Sequence, residues 1–257
     1  MESGEDKLFL ARVQELADRA ERGGYVVCSD FLDDHKQSLL SGAVGRLSVS
    51  MLRWGGYDGA ERICLLFYPD YLSSSLEDEK QQALCLLHIK LADKRFLKRI
   101  PEHRDYLGAI LGTGIKREKV GDIGISEDGA YVFVLREIAG YLVQELTSVG
   151  PAVVTVEEAP HTDMPTREKG KEMLISLASL RMDSVVAHGF HLGRGDAAKA
   201  IRAGIVLCNG APVTDPDKLA HIGDKITLRG KGRVILREDR GPSRSGRIQV
   251  LVEYFGK

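Results

Sequence analysis

Cationic side chains recur at short intervals in the stretch HLGRGDAAKAIRAGIVLCNG, residues 191–210. Arg194, Lys199 and Arg202 carry guanidinium and ammonium groups, which bind anions such as the phosphates of a nucleic-acid backbone. Arg194-Gly195-Asp196, taken alone, is also the tripeptide that extracellular proteins present to adhesion receptors. Anion binding requires a short helix among other cations, whereas adhesion requires an exposed loop in an extracellular protein.

The expected compartment argues against an adhesion role. Residues 1–24 contain no basic segment followed by an apolar run of about 7–15 residues, and the chain has no apolar stretch of ~18 residues, so neither a secretory signal nor a membrane span is predicted. The cysteines have apolar neighbours and no C-x-x-C spacing, which is typical of buried free thiols: Cys28, Cys64, Cys85 and Cys208. We therefore expect a cytoplasmic protein that does not bind membranes and has no disulfide, metal or cofactor.

The net charge of −1 conceals a strong asymmetry along the chain. Residues 1–165 contain 19 Lys and Arg against 27 Asp and Glu, a net of −8, whereas residues 166–257 contain 17 against 10, a net of +7. A basic domain is the electrostatic footprint expected of a protein that binds phosphate backbones. Charge alone leaves a solvated basic surface equally open, so the arrangement of the cations must decide.

Two short helices are predicted to position these cations. In residues 174–190 four apolar residues are available for a core, namely Leu180, Met182, Val185 and Val186. The polar residues lie three and four apart and share the other face, namely Arg181, Ser184 and His188. Gly195 or Asp196 is predicted to cap the next helix, with Ala197 and Ile201 packing inward. Gly204 then provides the left-handed residue after its end.

A small twisted sheet is predicted to follow these helices. Asn209-Gly210 is a strong hairpin signal because both turn positions need positive φ. A second strand pair surrounds residues 230–232, and residues 247–255 alternate as a final strand. This arrangement predicts that the helix cations and those of residues 225–233 lie on one side of the domain.

The acidic part of the chain predicts a different, α+β arrangement. An amphipathic helix is expected over 6–22, a second helix ends at Gly42, and strands and helices alternate from residue 61 to residue 159 as helices on one face of a mostly antiparallel sheet. The helix in residues 136–150 is expected to place Ile138, Leu142, Val143 and Leu146 on one face. Residues 160–171, PHTDMPTREKGK, lack apolar periodicity and predict a linker.

The basic part resembles the small RNA-binding domain first recognised in ribosomal small-subunit protein four, called here the S-four domain. That family has Arg-Leu-Asp at the first helix, Ser-Arg-Ser before the second, Gly-x-Val-x-Val-Asn-Gly after it, and Gly-Asp before the next strand. The matching residues are Arg181-Met182-Asp183, Gly193-Arg194-Gly195, residues 204–210 and Gly223-Asp224. Both serines are glycines here, which removes two hydroxyls that could cap the helix or contact phosphate.

Nearly the whole chain resembles the YlmH-type proteins, with its most specific stretch at residues 112–125. The resemblance implies an α+β protein with a helical N-terminal region (residues 1–59), an RRM-like α/β sandwich domain that binds RNA (residues 60–160) and a C-terminal S-four domain (residues 172–257). It further implies a monomeric bacterial protein that binds structured RNA, rRNA or tRNA, on the large ribosomal subunit, in quality control or rescue of stalled translation. Links to cell-division phenotypes also exist for this type.

The S-four resemblance assigns candidate RNA contacts to the basic part. They are Arg181, Arg194, Lys199 and Arg202 on the helices, Asn209 mainly through turn geometry, and Lys225, Arg229, Lys231 and Arg233 as a second strip. Lys116, Arg117 and Lys119 form either a second nucleic-acid contact or an ordinary solvated charge run. Asp183 either orients Arg181 or is a structural acid of the first helical turn, and we favour the structural role.

An RNA-modifying enzyme, a pseudouridine synthase or a methyltransferase with an appended S-four domain, is the alternative. Residues 107–119, LGAILGTGIKREK, contain glycines, but these end a short helix rather than follow a strand as a cofactor loop requires. Histidines that could act in catalysis have no nucleophile or paired carboxylate at a recognisable distance and are expected to be structural: His88, His103, His188 and His191. The sequence therefore favours a non-catalytic RNA-binding protein.

Overall fold

Two units, Met1–Arg167 and Glu168–Lys257, make up the chain in the computed structural model. The structure describes residues 4–40, 47–93, 97, 99–165, 170–243 and 246–256. Gly42, the predicted end of the second helix, and part of the predicted linker, residues 166–169, lie outside these described residues. The predicted α+β class with a helical N-terminus is confirmed by the elements below.

The helices are mostly short. Their bounds are α1 Gly4–Gly23, α2 Asp34–Leu39, α3 Leu76–Ala83, α4 His103–Gly112, α5 Arg136–Glu145, α6 Met182–Gly189 and α7 Arg194–Arg202. The strands are β1 Val27–Cys28, β2 Ser50–Trp54, β3 Cys64–Tyr68, β4 Leu84–Leu91, β5 Val120–Ser126, β6 Gly129–Leu135, β7 Ser148–Val149 and β8 Ala152–Ala159 in the first unit. The second unit has β9 Lys171–Leu177, β10 Val206–Cys208, β11 Ala211–Pro212, β12 Lys225–Leu228, β13 Gly232–Pro242 and β14 Ile248–Gly256.

The N-terminal elements combine α1 and α2 with an antiparallel sheet of strand order β1-β3-β2. An apolar stripe on α1, which includes Val13, Ala17 and Ala20, packs onto this sheet, and Gly24 follows the helix at a φ of 66°. Strand β3 lies beyond residue 59, the predicted end of the N-terminal region, yet it pairs with β1 and β2. The sequence marks β3 as apolar but does not identify its partners.

The next sheet has five antiparallel strands in the order β5-β6-β4-β8-β7. Alternate residues of β4, among them Leu87 and Ile89, point to the core formed with α4 and α5. Leu142 and Leu146 of the predicted apolar face of α5 are buried, but Val143 is 37% exposed. Ala139 is buried instead, because the 3.6-residue period turns Val143 away from the sheet.

The opposite face of this sheet packs against the N-terminal elements. Leu86 and Phe133 share a buried core with Phe31 and Leu66. A polar staple reinforces this seam, since the Asp122 carboxylate of β5 accepts hydrogen bonds from the Tyr57 hydroxyl at 2.8 Å and from the Glu61 and Arg62 backbone N–H groups at 2.7 and 3.1 Å. The first unit is therefore held together by burial and by one carboxylate with three donors.

The second unit is a six-stranded antiparallel sheet in the order β11-β10-β12-β13-β14-β9, covered on one face by α6 and α7. The predicted hairpin turn is confirmed, with Asn209 and Gly210 at φ values of 50° and 79°. Ala197 and Ile201 are fully buried as predicted, and Gly204 has the expected positive φ of 68°. Strand β9 was not predicted, because LISL in residues 174–177 alternates too briefly to be separated from the helix that follows.

We predict that Asp122→Ala will lower the free energy of unfolding of the first unit by about 1–3 kcal/mol, because half-buried donors then lose a charged acceptor. Urea unfolding followed by circular dichroism measures this change. Asp58→Ala is the matched control, since Asp58 is exposed in the same loop, and a surface change of this kind costs less than about 0.5 kcal/mol. Equal stability of the two variants would contradict the staple.

Candidate nucleic-acid interface

A buried carboxylate joins the two helices of the second unit. Asp183, in the first turn of α6, is only 5% exposed. It accepts hydrogen bonds from Arg181 Nε and Nη2 at 3.3 and 3.2 Å and from Arg194 Nε at 3.0 Å. Since Arg181 precedes α6 and Arg194 begins α7, one carboxylate fixes the guanidinium groups at both helix starts. We call these three residues the arginine junction.

The electrostatics of the arginine junction favour its charged form. Burial raises the pKa of Asp183, but hydrogen bonds from Arg181 and Arg194 outweigh burial and place this pKa below its usual value. The hydrogen bond to Asp183 raises the pKa of Arg181, and Asp217 adds a second ion pair to the same guanidinium. The favoured role of Asp183 as a structural acid is thus incomplete, because the carboxylate lies in the first turn and also orients both arginines.

The N-terminus of α7 differs from the sequence prediction. Gly193 is the N-cap residue and makes no side-chain hydrogen bond, so neither Gly195 nor Asp196 caps the helix. The helix begins earlier than predicted because Arg194, held by Asp183, already adopts the helical conformation. Asp196 instead lies in the first turn, and a Cβ atom on Gly195 would meet nothing within 4 Å.

The remaining cations of α7 are exposed. Lys199 is 80% exposed, and its one weak contact is with Asp196, whose Oδ1 lies 3.5 Å from the Lys199 Nζ. Arg202 is exposed in the last turn. Arg194 keeps 64% of its side chain exposed despite its bonds to Asp183. Arg194, Lys199 and Arg202 therefore offer positive charge to solvent from a helix anchored by Ala197 and Ile201.

Asn209 and Asp224 form a clamp between two turns. The Asn209 side chain donates to Asp224 Oδ1 at 2.8 Å and accepts from the Lys225 backbone N–H at 2.9 Å. Asp224 Oδ2 also accepts a hydrogen bond from the backbone N–H of His221 at 2.9 Å. These bonds support the structural role predicted for Asn209 and explain the Gly-Asp pair at Gly223-Asp224.

The strip of cations in residues 225–233 is divided by the sheet. Ile226 and Leu228 are buried beneath the helices, so the alternation of the strands directs Lys225 to the opposite face. Arg233 lies on that same opposite face, with its guanidinium 4.6 Å from the ring centre of Phe255. The prediction that these cations lie on the same side as the helix cations is wrong for Lys225 and Arg233. Side chains alternate along a strand, so these two residues point away from the face that Ile226 and Leu228 turn to the helices.

The turn between β12 and β13 lies close to the end of α7. Arg229 and Lys231 are exposed in this turn. The Arg229 backbone N–H donates to the carbonyl of Ile205 at 3.1 Å, which joins the turn to the loop that follows α7. Arg229 and Lys231 thus lie at the rim of the sheet near the C-terminal end of α7.

The basic run of the first unit is largely occupied by internal contacts. Arg117 donates to the carbonyls of Val120 and Gly121, and burial together with the charge of Arg62 lowers the pKa of Arg117 to about 10. Lys119 makes ion pairs of 2.7 Å with both Asp30 and Glu137. Burial lowers the pKa of Lys119, but these hydrogen-bonded partners outweigh burial and raise it.

Lys116, by contrast, is exposed and precedes the short helix Arg117–Lys119. Lys119 therefore stabilises the seam of the first unit and Arg117 stabilises its own segment, while Lys116 is open to solvent. The alternative of an ordinary solvated run does not describe Arg117 or Lys119.

Sequence reasoning missed Asp217, which shares Arg181 with Asp183 although it lies 36 residues along the chain. Nothing in the local pattern marks Asp217, since the contact is long-range.

His88 is buried and stacks on Tyr131 with ring centres 4.0 Å apart, and His188 bonds the Ser184 carbonyl within α6. Ser184 is buried rather than sharing an exposed face with Arg181.

Among the residues that the structure describes, no group of three or more His, Cys, Asp or Glu side chains is arranged to hold a metal ion. In the same residues no helix is long and apolar enough to cross a membrane. The thiols are free, with Cys64, Cys85 and Cys208 buried and Cys28 half-buried.

Family models match three segments of the chain. Residues 5–72 match "YlmH, N-terminal", residues 78–163 match "Putative RNA-binding domain in YlmH", and residues 180–226 match "S4 domain". The last match contains the arginine junction, α7 and the hairpin at Asn209. The RNA-binding domains implied by the resemblance are thus found by independent comparison.

One relative matches most of the chain, and others match parts of it. The "Ribosome-associated protein quality control protein P2" of Bacillus subtilis is 32% identical over 226 residues, which cover 88% of this chain and 86% of that protein. "Small ribosomal subunit protein uS4" of Anaeromyxobacter is 39% identical over 72 residues, 27% of this chain and 35% of that protein. The solved structure "Cell division protein ylmH from Streptococcus pneumoniae" superimposes with a TM-score of 0.53 at 24% identity. The superposition covers 64% of this chain and 98% of the Streptococcus pneumoniae chain, and it shows a shared fold. Two YlmH family models match residues 5–72 and 78–163, and the Bacillus subtilis protein matches 88% of this chain. The chain therefore belongs to the YlmH family.

Proposed function

We propose that this protein is a non-catalytic, monomeric RNA-binding factor of the bacterial cytoplasm that binds rRNA or tRNA on the large ribosomal subunit. We place its action in quality control or rescue of stalled translation. The whole-chain relative whose name describes a ribosome-associated quality control protein supports this context. The observation that carries the proposal is the arginine junction, in which Asp183 holds two guanidinium groups within the S4 match.

The arginine junction orients its guanidinium groups before RNA arrives. Arg194 uses Nε and Nη2 on Asp183, and a guanidinium has five N–H donors, so its remaining donors are available to phosphate oxygens. Ordering a long side chain on binding costs about 0.5–1.5 kcal/mol, and this cost falls when the side chain is already held. The arginine junction therefore favours rigid, shape-based recognition of structured RNA.

Exposed cations extend this surface along α7. Lys199 and Arg202 lie three residues apart on one helix face, and Arg229 and Lys231 lie in the turn near its end. We assign these four residues and Arg194 to phosphate contacts, with Arg181 as a partly neutralised neighbour. Lys225 and Arg233 belong to the opposite sheet face and we assign them a separate, weaker contribution. In the first unit only Lys116 is proposed as an RNA contact, because Arg117 donates to carbonyls of its own segment and Lys119 is paired with Asp30 and Glu137.

Ribosome association is tested by sedimentation of cell lysate and by binding of the purified full chain to rRNA and tRNA. We expect the protein in ribosomal fractions at low salt, with release as salt rises because phosphate contacts are screened. Absence from ribosomal fractions at low salt, combined with no binding to either RNA, would refute the proposal.

The helix surface is tested by the double substitution Lys199→Ala and Arg202→Ala. We expect weaker RNA binding and a plot of log affinity against log salt whose slope is smaller by about 2, since each lost phosphate contact removes about 1. Thermal stability should not change because both side chains are exposed. Lys7→Ala with Arg104→Ala removes two exposed cations from the first unit as a control, and an equal loss there would show that only total charge matters.

The arginine junction is tested by Asp183→Asn. RNA affinity should fall about three- to tenfold, because the guanidinium groups lose the charge that orients them, and stability should fall by about 1–3 kcal/mol. The pKa of Asp183 is lowered in the folded protein, so its stabilisation is present above the unfolded value of about 3.9 and is lost as pH falls through the folded value.

Thermal unfolding from pH 7 to pH 3 checks this linkage. The unchanged protein should lose more stability below pH 5 than Asp183→Asn does, because the variant has no carboxylate to protonate at this position. Asp196→Asn, which removes a 69% exposed carboxylate, is the control and should follow the unchanged protein. Parallel pH curves for the protein and Asp183→Asn would contradict the role given to Asp183.

A further inference from the structure

An exposed carboxylate lies on the solvent side of the arginine junction. Side-chain exposure rises from 7% for Asp183 through 36% for Arg181 to 66% for Asp217, whose Oδ1 pairs with Arg181 Nη2. A ligand that approaches Arg181 from solvent therefore meets this acid as well. Arg194 differs, because among the described residues its ion pair is with Asp183, and its side chain is 64% exposed.

The loop that carries Asp217 is fixed to the start of α6. The backbone N–H groups of Met182 and Asp183 donate to the carbonyls of Lys218 and Pro216 at 2.8 and 3.0 Å. The loop thereby satisfies the first N–H groups of the helix, which have no acceptor within the helix itself. Because the residues on both sides of Asp217 are bonded, this carboxylate is held beside the arginine junction by the backbone.

This position is unfavourable for a surface that binds phosphate alone. Arg181 and Arg194 carry two positive charges, which Asp183 and Asp217 formally balance. Asp183 is buried and orients both guanidinium groups, but Asp217 is exposed and repels the phosphates of an RNA bound at Arg194. A carboxylate accepts hydrogen bonds and donates none. Asp217 is therefore compatible with RNA binding if the RNA presents a hydrogen-bond donor to it.

RNA has two kinds of donor, the N–H groups of its bases and the 2′-hydroxyl of each ribose. In an A-form helix the Watson–Crick edges are paired, whereas the 2′-hydroxyls line the wide, shallow minor groove beside the phosphates. A carboxylate that accepts from a ribose 2′-hydroxyl is also the device by which dinucleotide-binding proteins hold their ligand. Recognition of RNA by shape and phosphate contacts favours the hydroxyl, because it is present at every nucleotide.

We propose that Asp217 accepts a hydrogen bond from a ribose 2′-hydroxyl of the RNA whose phosphate binds Arg194. The inference rests on the proposed function, since it concerns the same RNA-binding surface. Within the described part of the chain the Asp217 carboxylate bonds Arg181 through Oδ1, and Oδ2 is available to the hydroxyl. Asp217 is then a specificity-determining residue: it stabilises RNA, and it repels a nucleic acid that has phosphates but no 2′-hydroxyl.

The probes are a fluorescein-labelled RNA hairpin and the same hairpin with fluorine in place of every 2′-hydroxyl. Fluorine preserves the A-form helix but cannot donate a hydrogen bond. In fluorescence anisotropy at low salt, the full-length protein should bind the unmodified hairpin about three- to tenfold more tightly, the effect of one hydrogen bond. Asp217→Ala should lower this ratio below about twofold, mainly through tighter binding of the fluorinated hairpin.

Asp196→Ala is the matched control. Asp196 is a 69% exposed acid at the start of α7, on the same surface, and its ion pair is with Lys199 rather than with an arginine of the junction. Its removal should strengthen binding of both hairpins alike and leave their ratio unchanged. Circular dichroism should show both variants folded, since both carboxylates are exposed.

Three results would overturn the inference. A ratio near one for the unchanged protein, or a ratio that Asp217→Ala leaves as it was, would do so while RNA binding itself stands. An effect of Asp217→Ala that follows the base sequence of the hairpin rather than its 2′-hydroxyls would assign Asp217 to a base edge. Phosphate contacts do not depend on sequence, so no binding of either hairpin at low salt would refute the proposed RNA surface and this inference with it.

Discussion

A carboxylate buried in a protein must be given positive partners or lose its charge, and this constraint joins the starts of the two helices of the second unit. Asp183 satisfies it with Arg181 and Arg194, one from the start of each helix. Loss of either partner leaves the buried carboxylate with fewer charged donors, so separation of the two helix starts costs free energy. This carboxylate, together with the buried Ala197 and Ile201 of α7, fixes the relative placement of α6 and α7 and with it the direction of Lys199 and Arg202.

The first unit uses the same principle for a different result. Asp122 and Arg62 cross the seam between the two sheets, and Arg62 donates to the carbonyls of Val120 and Phe31 at 3.0 and 3.2 Å. Burial lowers the pKa of Arg62, and nearby Asp33 and Asp122 oppose this change. Charges that resemble a nucleic-acid contact in the sequence, such as Arg117 and Lys119, here stabilise the protein itself, whereas the cations of α7 remain exposed.

Local patterns predicted the elements well and the contacts poorly. The turn at Asn209-Gly210 and the inward positions Ala197 and Ile201 follow from backbone geometry and helical period, which short stretches of sequence contain. The partners of Lys119 and the second partner of Arg181 lie many residues away along the chain, so no local spacing reveals the contacts with Asp30, Glu137 or Asp217. The family resemblance supplied the RNA-binding domains, but it did not show that the sheet separates Lys225 and Arg233 from the helices.

The glycine before α7 has a consequence for the dynamics of its first turn. Gly193 has no side-chain oxygen to cap α7. The Asp196 N–H bonds the Gly193 carbonyl at 3.0 Å, whereas the first N–H groups of the helix, those of Arg194 and Gly195, have no side-chain cap. Such amide protons exchange rapidly with solvent, whereas an oxygen of a bound phosphate would occupy and protect them. A serine at position 193 would accept a hydrogen bond from one of these N–H groups. With glycine there, the same N–H group can donate to a bound anion.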